Sequence, residues 1–158
     1  MRDSSEQGNA RDGCSEGWSV HTCDGRLERV NEAAPYTDAD VDEALERVRR
    51  ACLGLPEVSE RPSHGGPAFF IREKKCMVMF LDDHHGDGRH AIWCAAPDGV
   101  QAEMIETEPD RFFYPPYVGH RGWLGVHLLG CEQAELDAIA LDAFKTVAPA
   151  RVLAQLDG

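Results

Sequence analysis

A chain of 158 residues that is 42% hydrophobic has enough material for one hydrophobic core and needs no covalent or metal staple to hold it. Its net charge of −12, with 28 acids facing 16 bases, works against nucleic acid, because phosphate is held by Lys and Arg. No apolar run approaches bilayer length and none follows a basic start, so no membrane association and no secretory signal are expected, and a cytoplasmic location follows by default.

Residues 1–36 are rich in Ser, Gly, Asn, Asp and Glu and show no sustained periodicity. Such a composition buries too little surface to offset the entropy of ordering it, which predicts a flexible polar leader with a short helix near residues 26–33. The single folded domain is expected over residues 37–158. It opens with Thr37-Asp-Ala-Asp40, the pattern of a capping box. Val41, Leu45, Val48 and Cys52 then recur at helical spacing until Gly54 and Pro56 stop the helix.

Pro56 to Pro67 reads as an extended arm ending in the turn chemistry of His64-Gly-Gly-Pro67. Ala68–Arg72 and Cys76–Leu81 read as a hairpin joined at Glu73-Lys-Lys75, and His90–Ala95 as a further strand. Pro97 suits the first turn of a helix that Pro109 limits, with Val100, Met104 and Ile105 inward. Arg121–Leu129 alternates like a returning strand, and Glu132–Val147 carries an apolar face of Leu136, Ile139, Ala140, Ala143, Phe144 and Val147. Pro149 breaks or restarts that helix before a short terminal piece. The fold class is therefore α+β, with an antiparallel sheet of four to five strands packed against N-terminal and C-terminal helices.

Candidate chemistry is sparse. Cys14, Cys23, Cys52, Cys76, Cys94 and Cys131 are scattered with no C-x-x-C, which predicts reduced, structural thiols. No G-x-S-x-G, P-loop or G-x-G-x-x-G occurs, so no catalytic residue and no cofactor are assigned. Asp82, Asp83, His84, His85, Asp87 and His90 have the donor types of a metal site, but a glycine-flanked run is more simply an exposed turn, and no metal is assigned. A nucleic-acid or ligand surface needs cations interleaved with aromatics; the set available is Arg72, Lys74, Lys75, Arg89, His120, Arg121 and Trp123.

Leu55-Pro-Glu-Val58, His64-Gly-Gly-Pro-Ala-Phe69, Lys75 opening a strand, Arg121-Gly-Trp123 and Val147-Ala-Pro149 occur in that order, and together they resemble the MmcQ/YjbR family over roughly residues 38–156. The resemblance implies a frataxin-like (CyaY-like) fold and a non-enzymatic binding module, DNA-binding through a "double wing" of hairpins. By fold analogy the acidic helix face from Asp38 to Glu46 would engage iron or basic partners, while solubility accounts for the same residues. This chain departs from the family in having no lysine between Lys75 and Lys145, the strand Ala91-Ile-Trp-Cys94 included. A small-molecule or protein partner, or an enzymatic role, held in a pocket under Pro115-Pro116 beside His120, Arg121 and Trp123, is the alternative.

Overall fold

The computed structural model describes residues 18–23, 26–31 and 37–158, and the chain divides into two units between Pro35 and Tyr36. In the first unit, strands β1 (Trp18–Cys23) and β2 (Arg26–Asn31) form an antiparallel hairpin with Cys23 opposite Arg26. This corrects the helix expected near residues 26–33. Asp24-Gly25, between the two strands, is a strong hairpin dipeptide, and that was the overlooked signal. The rest of the expected leader lies outside the described residues.

The second unit begins as its sequence demands. The Asp40 amide donates to Thr37 Oγ1 at 3.4 Å and the Thr37 amide donates to Asp40 Oδ2 at 2.6 Å, a reciprocal capping box that starts α1 (Asp38–Leu53). Those bonds from Thr37 hold the Asp40 carboxyl below the usual carboxylate range. Ala44, Val48, Ala51 and Cys52 are buried on one face. On its flank Arg49 donates from Nε and Nη2 to both oxygens of Glu60, each at 2.8 Å, which ties α1 to β3 (Val58–Ser63).

Strands β4 (Gly66–Ile71), β5 (Lys75–Asp82), β6 (His90–Cys94), β7 (Phe112–Phe113) and β8 (Leu124–His127) complete an antiparallel sheet in the order β3-β4-β5-β6-β8-β7. Six strands stand where four to five were expected. The arm before Pro67 is a full strand, and β7 is too short to show any alternation. The returning strand is shorter than its sequence pattern, because Gly119–Arg121 coil into a 3-10 turn and Gly122 takes φ 83°. Trp123 therefore precedes the strand, and it is buried.

Helix α2 (Val100–Thr107) joins β6 to β7. Helix α3 (Gln133–Val147) lies beside α1 and against β5 and β6. Pro149 forces Ala148 into extended geometry, ψ 137°, so α3 ends and the short α4 (Ala150–Leu153) starts afresh. Directly opposed residues on adjacent strands share a face, so Val78, Phe80 and Asp82 lie on the same side as Cys94, Ile92 and His90. That is the side of α3, since Cys94 shares a cavity wall with Ile139 and Asp142. Met79, Leu81, Ala91, Trp93, Gly125 and His127 point the other way.

Two outcomes test this packing. A β-carbon on Gly125 would overlap the ring of Phe113, which lies opposite it on β7. Gly125→Ala should cost about 1–3 kcal/mol, seen as a lower denaturation midpoint; an unchanged midpoint contradicts the contact. Glu60 is held below the ordinary glutamate pKa chiefly by its hydrogen bonds from Arg49. The unfolded chain takes up the proton first as pH falls, so this contribution is full above about 4.5 and disappears as pH drops through the folded value. Glu60→Gln is expected to lower stability by roughly 1 kcal/mol at pH 7 and by progressively less as pH falls below about 4.5, measured by denaturant titration across that range.

Candidate functional site: an apolar pocket and a divided cationic surface

The seven residues singled out from the sequence do not form one surface. Arg72, Lys74 and Lys75 sit at the β4–β5 turn, where Arg72 and Glu73 have φ 54° and 58° and the Lys74 amide donates to Ile71 O at 3.1 Å. Two consecutive left-handed residues without glycine are strained, and Glu57 holds them. Its carbonyl accepts from the Arg72 amide at 2.8 Å and its carboxylate pairs with Arg72 Nε at 3.0 Å. Arg72 is thereby neutralised, and Lys74 and Lys75 are left exposed without an ion-pair partner among the described residues.

Arg89 belongs to a different neighbourhood. Its guanidinium lies 4.2 Å from the centre of the Phe113 ring, and Phe113 in turn stacks on His127 at 4.7 Å. The 3-10 turn His84–Gly86 folds over the same sheet face, so that His84 meets Trp93 edge-on at 5.2 Å and His85 lies 6.5 Å from Tyr117. His120 and Arg121 are exposed on the turn Gly119–Arg121, which the Gln101 amide fastens by donating to Gly119 O and Trp123 O. No hydrogen bond, ion pair or ring contact among the described residues joins Arg121 to Arg89 or to the β4–β5 turn.

Three further arginines are engaged internally. Arg47 donates to Cys131 O, Arg49 pairs with Glu46 and Glu60, and Arg111 pairs with Glu108 and Glu135. The acidic run after β5 is spent on its own backbone: Asp83 accepts from the Gly88 amide, Asp87 from the Arg89 amide, and Asp82 lies 3.2 Å from the buried His90. Among the described residues no three His, Cys, Asp or Glu side chains are placed to hold a metal ion.

Nucleophiles are equally muted. Burial pushes the Cys94 thiol up to about 12 and Cys76 up to about 11, and it raises Cys52 as well, so these thiols stay neutral at physiological pH. Ser63 Oγ and His64 Nδ1 are 2.7 Å apart on an exposed turn, with no carboxylate bonded behind the imidazole.

A concave site does exist, away from the Pro115-Pro116 segment. Between α2, α3 and the sheet lies a cavity of about 110 Å³. It is lined by Cys94, Ala95 and Ala96 at the end of β6, by Val100 and Met104 of α2, by Ile139 and Asp142 of α3, and by Phe112 of β7 and Leu124 of β8. Neither His120, Arg121 nor Trp123 lines it. The sequence offered no separate signal for it, because its apolar lining residues read as ordinary core. Asp142, at the edge and exposed, is its one charged group.

His127 offers a test of the opposite face. Burial first, and then the nearby Arg89 charge, hold its imidazole below the ordinary histidine value. NMR titration of Arg89→Met should move the His127 midpoint upward without restoring the ordinary value. A midpoint unmoved by the substitution would separate the two groups.

A model of the YjbR family matches residues 53–146, more than half of the chain and every residue lining the cavity. No curated protein and no solved structure matches the chain.

Proposed function

The chain belongs to the YjbR family, and from that premise we propose that it is a non-enzymatic binding module whose ligand is a small, largely apolar molecule held between α2, α3 and the sheet. One observation carries this reading: the cavity floor and walls are hydrocarbon from Ala95, Ala96, Val100, Met104, Phe112, Leu124 and Ile139, the lining that favours burial of an apolar ligand. The neutral, buried thiols support binding over catalysis, and the free Cys52, Cys76, Cys94 and Cys131 fit a reducing, cytoplasmic setting. The helices α1 and α3 laid side by side on an antiparallel sheet support the frataxin-like reading of the fold.

DNA is the second reading, favoured by Lys74 and Lys75 at the tip of a hairpin, where a wing would present them. Against it stand the pairing of Arg72 with Glu57 and the net charge of −12.

The two readings separate in one set of measurements. Small apolar probes such as cyclohexanol should shift the methyl NMR signals of Met104 and Ile139 and leave those of Met79 unmoved; no shift at any concentration short of denaturation sinks the pocket. Fluorescence anisotropy with duplex DNA at about 50 mM salt should show no saturable binding. Saturable binding that Lys74→Ala with Lys75→Ala abolishes would replace the pocket reading with the DNA one.

A further inference from the structure

The cavity also constrains the charge of what enters it. Its inner polar groups are already engaged: the Cys94 thiol donates to Leu124 O at 3.5 Å and the Ala95 amide donates to Met77 O at 3.0 Å. The wall thus offers no free donor from these groups to an anion or a carbonyl ligand. The Asp142 carboxylate is different. Among the described residues it accepts no hydrogen bond from a side chain and has no ion-pair partner, and Lys145, one turn further along α3, has none either. It lines the same cavity as Cys94. A solvent-exposed carboxylate that lines a hydrocarbon pocket is complementary to a donor-bearing cation.

We infer that this pocket binds a small cationic amphiphile, a primary or secondary amine whose hydrocarbon end enters between Met104, Phe112 and Ile139 while its ammonium group meets Asp142. The inference rests on the pocket reading above and adds the ligand's class. Size agrees with it: a fully enclosed 150 Å³ cavity takes a benzene ring, so about 110 Å³ open at one side takes a chain of roughly four to six carbons. The exposed position of Asp142 lets the carboxylate stay hydrated until the ammonium arrives, so the contact does not require burying a lone charge. The net charge of −12 raises the local concentration of cations and lowers that of carboxylate ligands.

The test uses the full chain and three probes of one length: hexylamine, hexanol and hexanoate, titrated at pH 7 and low salt against the Met104 and Ile139 methyl signals. Hexylamine should bind roughly 3–5-fold tighter than hexanol, as one exposed ion pair allows, and hexanoate weakest. Asp142→Asn should remove the advantage of the amine and leave hexanol unchanged. Val100→Trp and Ala96→Leu, two independent plugs, should block all three. If hexanol and hexanoate match hexylamine in the native protein, the cationic class is wrong and the apolar pocket stands. If none of the three shifts these methyls, both fall. If hexylamine binds the two plugged variants as well as the native chain, it sits elsewhere on the acidic surface and the assignment is overturned.

Discussion

The architecture depends on a strand whose middle meets no water on either face. From Met77 to Leu81 five consecutive residues of β5 are buried, with Met77 and Val78 wholly so. Alternation gives each face of the sheet its share of them, so both faces must be covered at the centre. The helix side is covered by α1 and α3, which lie against β5. Helix α2 is only eight residues long and stands over β7, at the edge of the sheet. A seam between two helices of unequal reach is where a cavity forms, and its lining from Cys94 to Asp142 follows that seam.

The same constraint disperses the charged groups. With the middle of the sheet closed, cations lie at turns, on helix flanks and at the edge or ends of the sheet. Arg49, Arg72 and Arg111 each find a carboxylate within 3.0 Å. Their contribution is to fasten α1 to β3, the β4–β5 turn to Glu57, and the start of β7 to α3. An arginine that serves as an internal clamp is less available to a phosphate than a free one.

What could be read from the chain followed from how local each signal is. Helix α1 was legible because its cap and stripe lie within one segment, Thr37 to Cys52, and α3 because its apolar residues repeat every three or four positions. Strand β7 was not, since two phenylalanines have no period; its pairing is decided by Val126 and Gly125, which the chain reaches later. Individual site residues could be named, but their relations could not. Nothing local to Arg72 reveals that Glu57 cancels it, and nothing local to Ile139 or Ala96 reveals that they face one another across an opening. The resemblance in the motifs, by contrast, is spread along the chain, and the family match covers residues 53–146.

The order of the strands has a consequence for how this protein is made. β3 to β6 pair with their neighbours in sequence, so the meander can assemble as it emerges from the ribosome. Helix α3 is completed only about fifty residues after β6. At ordinary synthesis rates that interval is roughly 3 to 10 s. During it Val78, Phe80 and Ile92 have only α1 for cover from the helices. Self-repulsion from an excess of acids is a general defence against association at such a stage, and the net charge of −12 supplies it while the protein is half built.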